Sequence, residues 1–307
     1  MIAVRLADSV PAFFFGLHGG VAADRFSRRR LMVGADIVRF VVLVPVAIAG
    51  LADAFERAKV DVAVIIGNDQ MEVFTADHVP GLAVYWGPYM EGHPRTPEFL
   101  ATLDPAIARA ELDRTPSVYT QYPVQSALAA HIIQHTVTEG FDVTQMKKLS
   151  VGELGVNSAP HAYSFVYRRV MRDNVPPHVP VFINTFYPPN QPPSGRCFEF
   201  GRAIGRAIQA WPEDVNVAVI ASGGLSHFVI DEAFDEHVLQ SMLAGNSEEL
   251  ARIGEDMFQS GTSEFKNWIA AAGIMAEAGL KMRVLDYVPC YRSEAGTGSA
   301  MGFAVWE

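Results

Sequence analysis

Cysteine is scarce in this chain. Its 307 residues include two, Cys197 and Cys290, far apart and without a CxxC pair. That excludes a zinc site built from cysteine and fits a reduced, cytoplasmic setting. Basic charge is also short: 24 Lys and Arg face 34 Asp and Glu, for a net charge of −10. Phosphate recognition wants clustered Lys and Arg, so the balance argues against nucleic acid as a partner. The opening "MIAVRLADSV" lacks a basic start followed by an apolar run and a small-residue cleavage site, so no secretory leader is expected. Internal repeats and low-complexity tracts are absent. What the chain does have is apolar bulk. Half of it is hydrophobic, enough for a large core in one big domain or two smaller ones.

The charge is unevenly spread. Residues 1–50 hold six Arg and three Asp, which leaves 18 basic and 31 acidic side chains to the remainder. Such asymmetry suggests two segments with different surroundings. Arg25, Arg28, Arg29 and Arg30 lie beside "IVRFVVLVPVAIAGL", as a cytoplasmic loop lies beside a spanning helix. The run "GGVAADRFSRR" resembles the loop after the second transmembrane helix of major facilitator transporters, roughly G-x-x-A-D-R-x-x-R-R. The apolar run from Phe40 to Ala52 has thirteen residues, short of the roughly 20 that cross a bilayer. Asp36 and Arg39 would each be costly at the membrane centre. A working transporter is excluded for want of spans. The expectation is an N-terminal segment over 1–52 and a domain over 53–307. The segment either packs on the domain or is membrane-prone and poorly ordered, tethering an otherwise cytoplasmic protein.

Beyond residue 51 the pattern alternates. "DVAVIIG" (61–67) and "GLAVYW" (81–86) read as buried strands, and "VQSALAAHIIQHTVTEG" (124–140) has helical spacing with a closing glycine. "VPVFINTFY" (179–187) is a strand, followed by the Pro-rich loop "PPNQPPSG" and a helix. "VNVAVIAS" leads into "GGLSH", a helix from Asp231, a long helix near 262–279 and a late strand "LKMRVLDYVP". Strands alternating with helices predict an α/β fold with a central, mostly covered sheet flanked by helices. Ligands in such folds gather beyond the carboxyl ends of the strands, so "GNDQMEVF", "NTFYPPNQP" and "SGGLSH" are expected to converge on one cleft.

Several of these segments together resemble the class III extradiol ring-cleavage dioxygenases of the protocatechuate 4,5-dioxygenase type. They are "VIIGNDQMEVF", "FINTFYPPNQPPSGRCFEFGRAI", "VAVIASGGLSHF", "GTSEFKNWIAAAG" and the tail "YVPCYRSEAGTGSAMGFA". The resemblance covers most of residues 58–307. It implies Fe(II) as cofactor, O2 and a catecholic or gallate-like aromatic acid as reactants, and a homo-oligomer or small partner subunit as the assembly. A facial set of two His and one carboxylate would leave room for catecholate and dioxygen. His227 matches the family's acid–base histidine. Glycines beside it allow close approach, and imidazole titrates near neutral pH; the alternative is a histidine that caps the next helix. Glu264 matches the metal-binding glutamate, the alternative being an ordinary first-turn acid favoured by the helix dipole. His161, in "NSAPHAYSF", matches a second active-site histidine, against a loop histidine in solvent. Thr297 and Ser299 fit a substrate-contacting tail.

The departures are specific. The family's S-H-S-P-like turn, which supplies an iron-binding histidine, is replaced here by the transporter-like segment. His18, in "GLHGG", is the one histidine there, and its surroundings match nothing in the family. Where an N-D-H turn often carries the second histidine, this chain reads Asn68-Asp69-Gln70. Gln70 is therefore expected as an oxygen donor to the metal, with Glu72 as a ligand or a supporting group, and iron binding is expected to be weak. His131 and His135 sit four apart, as a zinc pair would, but "HIIQH" lacks the Glu of a metalloprotease helix and is expected to be a polar helix face.

Overall fold

The computed structural model describes residues 43–307 except 154 and 156. The transporter-like run and His18 lie outside them. The first described element is helix α1 (Val44–Arg57), with a proline in its first turn. The expected boundary after residue 52 falls inside this one helix. Val44 and Ala47 of α1 pack against Val288 and Phe303, and Glu56 accepts a 2.9 Å hydrogen bond from Arg172. The end of the expected N-terminal segment is thus docked on the body. Among the described residues no helix is long and apolar enough to cross a membrane.

A mixed, mostly parallel sheet forms the centre. Its strands are β1 (Val62–Gly67), β2 (Leu82–Tyr85), β5 (Thr144–Met146), β6 (His178–Ile183) and β7 (Val217–Ala221), ordered β5-β2-β6-β1-β7. A small antiparallel pair, β3 (Tyr89–Gly92) and β4 (Thr120–Pro123), is interposed in sequence. β1 pairs in parallel with β6 and β7, and only the β2–β6 pair is antiparallel. Every residue of β1 is buried, which is why its sequence is one unbroken apolar run rather than an alternation. Each fully buried Val or Ile contributes about 1.5–3 kcal/mol relative to exposure.

Helices cover both faces. Val62, Val64 and Ile66 pack against α4 (Ser126–Thr138), α6 (Ser194–Gln209) and α9 (Phe265–Ala278). Ala63 and Ile65 face α5 (His161–Phe165) and the π-turn that follows it, through Tyr163 and Tyr167. Helices α2 (Pro97–Ala101) and α3 (Pro105–Arg114) lie between β3 and β4 in sequence, and α7 (Glu232–Leu243) and α8 (Ser247–Arg252) lie between β7 and α9. A second sheet is antiparallel, in the order β8 (His227–Val229), β10 (Thr297–Trp306), β9 (Met282–Tyr291).

One element differs from expectation for a visible reason. β6 stops at Ile183 rather than continuing to Tyr187. Asn184 folds the chain back, its Oδ1 accepting from Tyr187 N at 2.8 Å and its Nδ2 donating to Tyr187 O at 2.6 Å. The glycine-rich tail is a strand, β10, paired along its length with β9. The histidines of α4 serve packing. His131 Nε2 lies 3.0 Å from the Ala207 carbonyl, and His135 pairs with Glu139 at 2.9 Å.

His178, at the amino end of β6 and away from the converging loops, gives the fold an acid weakness. It is fully buried, with Nδ1 2.7 Å from Pro123 O and Nε2 2.6 Å from the Tyr167 hydroxyl. Burial pushes its pKa down to about 4, with the Pro123 carbonyl opposing. The folded value lies below the unfolded one, so between the two the unfolded state binds more protons and stability falls as pH falls. From pH 7 to 5 this group alone is expected to remove about 2 kcal/mol. Denaturant unfolding at both pH values should show a loss that is smaller by that amount in His178→Phe than in the parent chain. An equal loss in both would remove His178 from the account.

Candidate active site

The carboxyl ends of β1, β6 and β7 finish together: Gly67 pairs with Phe182, and Ile66 with Ala221. The loops that follow start side by side. Asn267, fully buried on α9, ties two of them, donating from Nδ2 to Asn68 Oδ1 at 3.0 Å and to Ser222 O at 2.8 Å. The Trp268 indole donates to Gly223 O at 3.1 Å. At Gly223 a Cβ would stand 2.9 Å from the Cβ of Glu264, so the loop can lie against the start of α9 only as glycine.

Glu264 ends a 3₁₀ turn (Ser260–Glu264) just before α9. It stands at the N-cap position of α9, but its side chain makes no capping hydrogen bond there. Its carboxylate is buried and turned into the loop cluster, accepting from Gln70 Nε2 at 3.1 Å and from Gly224 N at 2.6 Å. Lys266, fully buried, anchors the same turn by donating to Thr185 O at 3.0 Å.

His227 opens β8 rather than capping the next helix. That cap is Asp231, which accepts from Phe234 N at 3.0 Å. The imidazole Nδ1 lies 2.8 Å from Leu225 O; a carbonyl only accepts, so Nδ1 is the donor, and in the neutral ring the lone pair is on Nε2. Nε2 faces Glu264 Oε2 at 3.9 Å, with the His227 side chain 13% exposed. Ser226, the preceding residue, is fixed by Asp235, whose carboxylate accepts from Ser226 N at 2.8 Å, Ser226 Oγ at 2.7 Å and Tyr287 Oη at 2.7 Å. Burial raises the Asp235 pKa, while the bonds from Ser226 and Tyr287 oppose the shift.

His161 opens α5 and is paired with buried Glu72, the two ring and carboxylate groups in direct contact. The backbone N–H of His161 also donates to both Glu72 oxygens, at 3.2 and 3.1 Å. Burial would raise the carboxyl pKa, but the charge and hydrogen bonds of His161 outweigh it and hold Glu72 below its usual value. Burial would lower the imidazole pKa; Glu72 outweighs that too, and His161 is raised, with Glu264 adding in the same direction. Each partner therefore favours the charged form of the other. His161 is thus no loop histidine in solvent.

His227, Glu264 and Gln70 are in one cluster, and His161 joins it electrostatically. The tail is joined through register. Ser299 pairs with His227 across the β8–β10 ladder, whereas Thr297 lies opposite Val229 with its hydroxyl 2.6 Å from Ser293 Oγ. Glu72 as the partner of His161, Asp235 as the anchor of Ser226 and the paired arginines Arg95 and Arg114 had no signature in spacing. Glu72 and His161 are 89 positions apart.

An iron centre with open positions needs three protein donors. Among the described residues no group of three His, Cys, Asp or Glu converges to hold a metal ion. Glu264 already accepts two hydrogen bonds, and Gln70 turns its amide N–H toward that carboxylate. The described residues alone do not fit the centre.

A family model described as the catalytic LigB subunit of aromatic ring-opening dioxygenase matches residues 60–298. A gallate dioxygenase of Pseudomonas putida is 49% identical over 41 residues, 13% of this chain, and the match spans 12% of that protein's length. The crystal structure of an uncharacterized protein from Escherichia coli K12 is similar with a TM-score of 0.45 at 16% identity, covering 80% of this chain and 85% of that one.

Proposed function

The chain belongs to the family of catalytic LigB subunits of aromatic ring-opening dioxygenases, and from that premise we propose that it opens the ring of a catecholic or gallate-like aromatic acid beside its hydroxyls, with Fe(II) and O2. The observation that carries the proposal is the facing of His227 Nε2 and Glu264 Oε2 at 3.9 Å, at the carboxyl end of the sheet. In this reading His227 is the acid–base group. Its Nδ1–H is committed to the Leu225 carbonyl, so Nε2 takes a ring-hydroxyl proton and later returns it. The imidazolium formed in between is steadied by the Glu264 carboxylate. His161, whose charged form Glu72 favours, when protonated donates from its other ring nitrogen to an anionic oxygen of the substrate. Ser299 lies beside His227 and is the nearer of the two tail hydroxyls to the substrate.

Because three donors do not converge among the described residues, the reading carries an expectation about the metal. Iron should be lost on dialysis of the purified full chain, and ring opening should depend on added Fe(II). The test is oxygen uptake and the absorbance of the ring-opened product with 3,4-dihydroxybenzoate and gallate, with and without ferrous iron. Aromatic binding without oxygen uptake in added Fe(II) would overturn the proposal in favour of a second reading, a non-catalytic chain that binds aromatics, which the incomplete donor set among the described residues favours. Stoichiometric iron that survives dialysis would overturn the weak site.

A further inference from the structure

Arg95 and Arg114 are two largely covered cations that feel the charge of Glu72 and that the chemistry above leaves unused. Arg95 follows β3 in "GHPRTP", and Arg114 ends α3. Their side chains are 3% and 24% exposed, and both meet a single carboxylate, Glu111, which is itself 4% exposed. Arg95 Nε donates to Glu111 Oε2 at 2.7 Å, and an Arg114 terminal nitrogen touches Glu111 Oε1. Two guanidinium groups therefore share one anion.

The donors do not balance either. Arg95 Nη1 and Arg114 Nε are buried and have no acceptor among the described residues. Buried guanidinium N–H groups normally find one. Burial opposes the charge of both arginines, and the negative field of Glu72 supports both; Arg114 in turn is felt at His161. Two guanidinium groups on one carboxylate leave one positive charge over and two N–H donors without an acceptor among the described residues. Arg95, Arg114 and Glu111 are thus short of one anion, and α3 packs against α5, the helix that His161 opens.

We propose that Arg95 and Arg114 form an anion subsite that takes the carboxylate of the aromatic acid, next to the Glu72–His161 pair. A carboxylate is planar with two acceptor oxygens, and a guanidinium fork matches it two bonds at a time. A compact carboxylate on a rigid ring would supply the acceptors that Arg95 Nη1 and Arg114 Nε lack. The inference rests on the ring-opening reading for where the rest of the substrate lies, and it makes the charge on the ring, rather than the hydroxyls alone, a determinant of selectivity.

The test is calorimetric titration of the full chain with three probes: catechol, benzoate and 3,4-dihydroxybenzoate. The parent chain is expected to prefer 3,4-dihydroxybenzoate to catechol by roughly 10- to 100-fold. Arg114→Gln should collapse that preference to within about threefold, and Arg114→Lys, which keeps the charge and loses the fork, should restore part of it. Should Arg114→Gln fail to fold, the partial loss in Arg114→Lys carries the comparison. Equal affinity of the parent chain for catechol and 3,4-dihydroxybenzoate, or a preference untouched in the Arg114 variants, overturns the subsite and leaves ring opening standing. Benzoate that binds and is lost in Arg114→Gln, with no catechol bound, supports the subsite and overturns the ring-opening reading. Failure of every carboxylate probe to bind overturns the subsite.

Discussion

His227→Ala is expected to lower kcat for ring opening in the presence of added Fe(II) by about 100- to 10,000-fold, the usual worth of a positioned acid–base group. Thermal unfolding should stay near that of the parent chain. The size follows from how completely the imidazole is committed to one orientation. Nδ1 is tied to Leu225 O at 2.8 Å, and the backbone N–H donates to Thr262 Oγ1 at 3.2 Å, so Nε2 is aimed rather than free to swing. Gly261 provides the room, because a Cβ there would lie 1.9 Å from His227 Cδ2 and 2.0 Å from Nε2. Gly261→Ala should therefore push the ring off its aim and reproduce part of the kcat loss while the histidine is still present. Substrate affinity should change much less than kcat in both variants, since the proton transfer matters most in the transition state. A His227→Ala protein that keeps kcat within threefold would remove His227 from the chemistry. An unaffected Gly261→Ala would show that the ring need not sit where Nε2 faces Glu264.

How much of this was legible beforehand depends on whether a residue acts through its neighbours in sequence or through space. β1 could be read from "DVAVIIG" because a strand buried on both faces leaves an unbroken apolar run. The converging loops could be read because parallel strands end on one side of their sheet. Glu264 and His227 were visible only through the motifs around them, since one glutamate before a helix and one histidine after two glycines are ordinary on their own. β8 was not visible. Three residues are too few for a period, and His227–Val229 are a strand only because Thr297–Ser299 pair with them. Gln70 was expected to offer its oxygen to a metal, and its amide N–H faces Glu264 instead. Asp235 and the two arginines, and the pairing of Glu72 with His161, follow the same logic as β8. Their partners come from distant segments, and a buried charge reads as a surface charge until the element that covers it is known.

Glu111→Gln is expected to destabilise the chain by about 3–5 kcal/mol, the cost of breaking a buried ion pair from one side. Glutamine fills the same space and can still accept a hydrogen bond, so the loss would come from charge rather than from a cavity. With Glu111 neutral, Arg95 at 3% and Arg114 at 24% exposure would face each other without the carboxylate that both now touch. Arginine cannot escape by losing its proton. Burial already works against both charges, and Glu72, the remaining anion, is engaged by His161 through its side chain and backbone. The comparison that isolates the cause replaces all three residues, Arg95→Met, Glu111→Leu and Arg114→Met. Buried ion clusters exchanged for apolar groups of like volume are often neutral or stabilising, so the triple variant should unfold near the parent midpoint while Glu111→Gln unfolds far earlier. If urea unfolding puts Glu111→Gln within about 1 kcal/mol of the parent, the two arginines have another counter-charge. If the triple variant is as unstable as the single one, the cluster is held by packing instead. The expected pattern, a costly single change and a tolerated triple one, would mean that these buried charges are not required for folding, which leaves binding as the reason to keep two arginines on one glutamate.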